Sequence, residues 1–151
     1  MKKLFILALA FVASALVFTS CDNNTNKVDS PLVGSWRHQT DPAPDSGWFG
    51  VYIVNFEANS TFALYDYAYA GGSGTEPHDG FVWKGTYEIQ EDIVTVHYEK
   101  YGMAYGDGRE EFDKEYEPND EQMKFRFEGQ TLILTREYGT GYAWTAAYTR
   151  Q

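Results

Sequence analysis

The fold is decided by residues 81–101, FVWKGTYEIQEDIVTVHYEKY, in which aromatic and β-branched residues alternate with polar ones on both sides of Glu91-Asp92. A period of two places successive side chains on opposite faces of a strand, whereas a helix repeats every three or four residues. Two such runs around a short polar turn predict an antiparallel hairpin. The predicted inward side chains are Trp83, Tyr87 and Ile89, followed by Val94, Val96 and Tyr98.

The same pattern extends through the chain after residue 32. It predicts nine strands, at 33–38, 48–56, 61–69, 81–89, 93–101, 110–117, 122–128, 131–138 and 142–150. Sequential hairpins of this kind favour an up-and-down barrel or a sandwich. We therefore predict an all-β, antiparallel meander of 8–9 strands, with one domain over residues 33–151. Further inward side chains are predicted at Phe125, Phe127, Leu132, Leu134, Arg136, Trp144, Ala146 and Tyr148.

The lengths of the connections predict that the two ends of the barrel differ. If the strands simply alternate, one end carries the connections 39–47, 70–80, 102–109 and 129–130, three of which are long. The other end carries the short connections 57–60, 90–92, 118–121 and 139–141. The first end should form an open rim, where a ligand would enter. The candidate ligand-binding residues beside its long loops are Trp48, Tyr69, His78, Tyr101, Met103 and Tyr105.

The first twenty residues have the pattern of a secretion signal. Lys2 and Lys3 precede an apolar run over residues 4–18, which spans roughly 22 Å as a helix and is short for a bilayer core of about 30 Å. The following Val17-Phe18-Thr19-Ser20-Cys21 resembles a bacterial lipobox. That resemblance implies a signal peptide over residues 1–20, lipidation of Cys21 and a flexible tether to residue 32. It also implies a lipid-anchored protein of the bacterial cell envelope, which we expect at the outer membrane.

The first predicted strand begins with Gly34-Ser35-Trp36, which resembles the Gly-x-Trp motif of lipocalins. In that family the Trp closes the barrel floor, and an Arg from a late strand packs on it. Simple strand alternation places Arg136 at the closed end and Arg150 near the open rim, so Arg136 is the predicted partner of Trp36. With the lipobox, the chain resembles the small lipocalin-like lipoproteins of bacterial envelopes. The clustered long loops and the many aromatic residues favour a barrel that binds a small apolar or aromatic ligand at its open rim, while a solid core filled by those side chains stays open as the other interpretation.

Composition excludes several classes of function. The 151-residue chain has 12 basic and 22 acidic residues and a net charge of -10, which argues against nucleic-acid binding. Its single Cys excludes a disulfide framework or a four-Cys zinc site. Four of the acidic residues are spaced by two in the predicted strand 110–117 and would therefore share one face. That face is either solvated or able to bind a cation. They are Glu111, Asp113, Glu115 and Glu117.

The third predicted strand leaves two orientations open. Phe62, Leu64, Asp66 and Ala68 lie on one face, and Ala63, Tyr65, Tyr67 and Tyr69 lie on the other. Tyrosines that point outward would form an exposed ladder or be half-buried, whereas tyrosines that point inward would line a cavity. An exposed ladder, or the acidic strand, suits an alternative function as an envelope protein–protein interaction module or inhibitor.

No motif for catalysis is present in the sequence. There is no Gly-x-Ser-x-Gly elbow, no phosphate-binding loop and no His-Glu-x-x-His. His38, His78 and His97 do not form a spaced metal pair. We therefore expect a binding protein, not an enzyme, with no cofactor and no metal. Carboxylates are numerous enough that acid–base chemistry of the glycosidase type stays open on residue type alone.

Overall fold

The protein folds as a closed antiparallel β-barrel with one additional short strand, in a computed structural model that describes residues 28–69, 78–139 and 141–151. These residues contain no helix, and therefore none that could cross a membrane. The strands in them are β1 (Gly34–Gln39), β2 (Phe49–Phe56), β3 (Thr61–Tyr69), β4 (Gly80–Gln90), β5 (Ile93–Ala104), β6 (Glu110–Phe112), β7 (Asn119–Glu128), β8 (Thr131–Tyr138) and β9 (Tyr142–Arg150).

Eight of these strands form the ring. From β1 to β5 each strand pairs with the next, β5 pairs with β7, and β9 pairs with β1 to close the sheet. Closure gives every ring strand a hydrogen-bonded neighbour on both sides, and β6 pairs with β5 alone. The predicted all-β, antiparallel, lipocalin-like barrel of 8–9 strands is confirmed. The side chains predicted to face inward lie in the core or pack against it, and Arg136 lines the cavity described below.

The prediction of a strand over residues 110–117 is wrong in its length and in its place in the barrel. Strand β6 has three residues and pairs with residues 102–104 of β5. Strand β7 pairs with the earlier part of β5, up to Tyr98. Because β6 and β7 are both antiparallel to β5, they run in the same direction, as one interrupted strand. The later connections therefore change ends: 129–130 lies at the closed end and 139–141 lies at the rim.

The asymmetry between the two ends is retained. The ends of β1, β3 and β5 that lead into the long connections lie at the rim, as predicted, while tight turns close the hairpins at the opposite end. Ser60, Glu91 and Gly129 in those turns adopt positive φ angles of 67°, 56° and 62°. A left-handed residue lets a short turn follow the twist of the paired strands.

The closed end contains the apolar core and also the chain that leads into β1. Leu32 is fully buried, and its carbonyl accepts a hydrogen bond of 2.7 Å from the indole Nε1 of Trp36. Before it, the Val28 N–H donates to the carbonyl of Ala58. The folded part thus begins by residue 28, earlier than the predicted start at residue 33. The predicted signal peptide, Cys21 and the tether up to residue 27 lie outside the described residues.

The arginine on the floor tryptophan is Arg150, not Arg136. The Arg150 guanidinium lies 5.0 Å from the centre of the Trp36 ring, and its Nη2 donates to the carbonyl of Val33. Gly34 has a φ of 143°, and a Cβ there would lie 3.0 Å from Arg150 Nη2, so glycine leaves room for the guanidinium. The prediction of Arg136 was wrong because the change of ends after β6 carries Arg136 away from the floor.

Replacement of Arg150 by Ala should lower the free energy of unfolding by about 1 kcal/mol, because it removes a cation–π contact and a hydrogen bond at an exposed position. Urea denaturation measures the difference. Arg126→Ala is the matched control, since Arg126 is exposed and, in the described part of the chain, its guanidinium pairs with Glu128 two residues away. Equal losses in the two variants would contradict the floor role of Arg150.

Candidate functional site

A cavity of about 660 Å³ occupies the part of the barrel that faces the rim. Its volume lies within the 300–1,000 Å³ usual for small-molecule sites. The walls come from β2, β3, β4, β5, β7, β8, β9 and the segment before β7. The lining residues are Tyr52, Val54, Phe62, Leu64, Asp66, Trp83, Tyr98, Tyr116, Glu117, Asn119, Glu121, Met123, Leu134, Arg136, Tyr138, Trp144 and Tyr148.

The orientation of β3 decides which side chains reach this cavity. Phe62 is buried in the core, and the period of two then turns Leu64 and Asp66 inward as well. Tyr65 and Tyr67 point outward, where their rings stack at 5.8 Å. The Tyr65 hydroxyl donates to Glu110 at 2.9 Å, and burial is the main cause that raises its pKa. The half-buried interpretation is confirmed, and the exposed ladder is not formed.

Aromatic rings surround the cavity on several strands. Trp83 packs on Tyr101 with ring centres 5.1 Å apart, and Tyr101 packs on Tyr116 at 5.8 Å. Across the barrel, the Tyr52 and Trp144 rings meet edge-on at 6.2 Å. Such rings offer apolar area together with electron-rich faces. The cavity therefore suits a ligand with a flat or apolar body.

A network of polar groups crosses one wall. Arg136 Nε lies 2.5 Å from Glu121 Oε1, although its N–H does not point along that line. The Tyr98 hydroxyl donates to the other Glu121 oxygen at 2.8 Å, and burial followed by the Glu121 charge raises the Tyr98 pKa. The Arg136 guanidinium also lies 5.8 Å from the centre of the Trp144 ring. Arg136, the one arginine in the described part of the lining, is thus paired within the wall.

Asp66 is a polar residue of the cavity lining that was not predicted as part of the site. Its carboxylate makes no hydrogen bond or ion pair with any residue in the described part of the chain, and burial raises its pKa. The sequence contained a signal, because an acid shares the apolar face of β3 with Phe62 and Leu64. A charge on a core face is expensive unless a partner or a function compensates it.

The six predicted rim residues are not brought together into one site. None of them is in the described lining of the cavity, and Tyr101 comes nearest through its contacts with Trp83 and Tyr116. Tyr69 is on the outward face of β3, where its ring stacks on Phe49. The others lie at the rim end: Trp48 stacks on His78, Met103 pairs opposite Phe81 and Glu111, and Tyr105 contacts Arg109 and Glu111.

The predicted acidic face does not form either, because the strand ends at Phe112. Of its members, Glu117 lines the cavity, whereas Glu111 contacts Tyr105 and Arg109. The histidines are also apart: Nδ1 of His38 donates to the carbonyl of Ala147, and His97 pairs with Asp120. Among the described residues, no three His, Cys, Asp or Glu side chains converge as metal ligands.

Fold and site together define a class: a small lipocalin-like barrel with a ligand-sized, aromatic cavity at one end. No known protein-family model matches the chain, and a search of curated proteins finds no significant match. The proposals that follow therefore rest on the geometry of the barrel and on the sequence motifs.

Proposed function

We propose that this protein is a lipid-anchored, lipocalin-like binding protein of the bacterial cell envelope, which holds a small apolar or aromatic ligand inside its barrel. The observation that carries the proposal is the 660 Å³ cavity walled by aromatic side chains. Burial of apolar area in such a cavity supplies the affinity, at roughly 25 cal/mol for each Å² removed from water.

The anchor is proposed at Cys21, in the segment that resembles a lipobox. Two or more acyl chains hold a protein stably at a membrane, which we expect to be the outer membrane. The chain enters the barrel at the closed end, through Val28 and Leu32, so the cavity would open away from the membrane. The core residues lie within residues 28–151, and residues 22–151 should therefore fold without the anchor.

The alternative, a module that binds another envelope protein, receives less support from the structure. Its two candidate surfaces meet each other: Glu110 accepts hydrogen bonds from Tyr65 and from Lys84. Side chains paired within one protein offer a partner less than free ones would, because those bonds must be broken first. Nothing in this arrangement suggests a nucleic-acid partner, and we propose binding without catalysis.

Ligand binding should be blocked by filling the cavity. We expect residues 22–151 to bind the neutral probe N-phenyl-1-naphthylamine with a rise in its fluorescence, and Leu64→Trp to weaken that binding about tenfold, because an indole would occupy space that the probe needs. Ala63→Trp is the matched control, because Ala63 precedes Leu64 in β3 and its side chain lies on the outer face of that strand. Equal binding by both variants, or none by the unmodified domain, would contradict the proposal.

A further inference from the structure

We propose that the ligand is an organic cation, a primary to quaternary amine with an aromatic or alkyl body, and that Asp66 is its counter-ion. This inference rests on the proposed function, since it names the chemical class of ligand for the same cavity. It is carried by the position of Asp66, an inward-facing carboxylate with no partner among the described residues, within a wall of aromatic rings.

The balance of charge in the cavity favours a cation. Among the described residues, its lining contains the carboxylates of Asp66, Glu117 and Glu121 and one guanidinium, that of Arg136. Arg136 is compensated by Glu121 at 2.5 Å. Asp66 has no ion-pair or hydrogen-bond partner among the described residues, so an entering cation would find a carboxylate ready to pair.

The groups around Asp66 suit the remainder of such a ligand. Asp66 lies opposite Tyr52 and Phe81 in the sheet register. Burial is the main cause that raises the pKa of the Tyr52 and Tyr148 hydroxyls, and the charge of Asp66 adds to it, which places both phenols near the carboxylate. Ammonium groups are attracted to aromatic faces, most strongly where water is excluded. One carboxylate beside several rings is therefore complementary to an alkylated ammonium.

An anionic ligand and a metal ion fit the same geometry less well. An anion directed at Arg136 would have to displace Glu121 and would still face the charge of Asp66. A metal ion would need several ligands, and no three metal-ligating side chains converge within residues 28–69, 78–139 and 141–151. Burial raises the pKa of Asp66 because it disfavours the charged carboxylate, and a cation beside that carboxylate would offset the cost.

The test uses three ligands of nearly equal shape: 1-naphthalenemethylamine, which is a cation at pH 7, neutral 1-naphthalenemethanol and anionic 1-naphthoate. Calorimetric titration of residues 22–151 gives their affinities. We expect the amine to bind at least tenfold more tightly than the alcohol, and the carboxylate to bind most weakly. Equal binding of amine and alcohol would overturn the cation inference and leave the proposed function standing, as would a preference for the carboxylate. Binding of none of the three would overturn both.

Substitution of Asp66 separates its role from the general acidity of the protein. Asp66→Asn keeps the shape of the side chain, and we expect it to weaken the amine at least tenfold while the affinity of the alcohol stays within twofold. Asp41→Asn is the matched control: it removes the same charge from an exposed loop position at the rim end and should change neither affinity by more than twofold. Equal losses of amine affinity in the two variants would overturn the role of Asp66. Retained amine affinity in Asp66→Asn would overturn it too.

Discussion

Trp36→Ala is expected to lower the free energy of unfolding by about 3–5 kcal/mol, the cost usual for removing a buried aromatic side chain. Trp36 is 2% exposed, its indole N–H donates to the Leu32 carbonyl, and its ring contacts Phe127 and Arg150. The substitution leaves a cavity at the closed end and an unpaired carbonyl. Urea denaturation followed by circular dichroism measures the loss without depending on tryptophan emission.

Trp48→Ala is the matched control for this prediction. Trp48 is 43% exposed and stacks on His78 at the rim, so its loss should cost about 1 kcal/mol or less. The contrast tests whether stability is concentrated at the closed end while the rim remains free to bind. Comparable losses for the two tryptophans would refute the assignment of Trp36 as the floor of the barrel.

Leu32→Ala should cost about 2–5 kcal/mol, although Leu32 lies in a segment whose sequence predicts only a tether. The side chain is fully buried in the core cluster, and its carbonyl holds the Trp36 indole. A leucine in a true tether would contribute nothing to folding. Thermal and urea unfolding of residues 22–151 measure the difference.

Leu64→Ala provides the comparison within the same barrel. Leu64 is half-buried and faces the cavity, so it has fewer contacts to lose, and its truncation should cost about 1–2 kcal/mol. A loss at Leu32 no larger than the loss at Leu64 would show that residues 28–32 are a spacer after all, and that the domain begins at β1.

The local alternation of apolar and polar residues explains why the strands of the central hairpin and their inward faces could be predicted from the sequence. The alternation in residues 81–101 predicted two strands around Glu91-Asp92, and the structure has β4 and β5 with a positive φ at Glu91. It also predicted the inward set that begins with Trp83 and Tyr87, because the period of a strand fixes which side chains share a face.

The prediction failed where pairing between distant residues decides the outcome. Residues 110–117 alternate like a strand, yet only three of them pair, and the ladder of β5 passes from β6 to β7. Which strand continues a ladder depends on competition for the same backbone groups, which local alternation does not encode. That one change moved Arg150 to the floor and Arg136 to the cavity wall.

Local alternation and loop lengths predicted the strands other than 110–117, their inward faces and the contrast between long loops at the rim and tight turns at the closed end. Each depends on neighbours only a few residues apart. The cavity, the Arg150–Trp36 contact and the isolation of Asp66 were decided by the tertiary structure alone. A cavity forms between side chains from distant strands, and Asp66 has no partner among the described residues because barrel closure pairs the lining arginine, Arg136, with Glu121 instead.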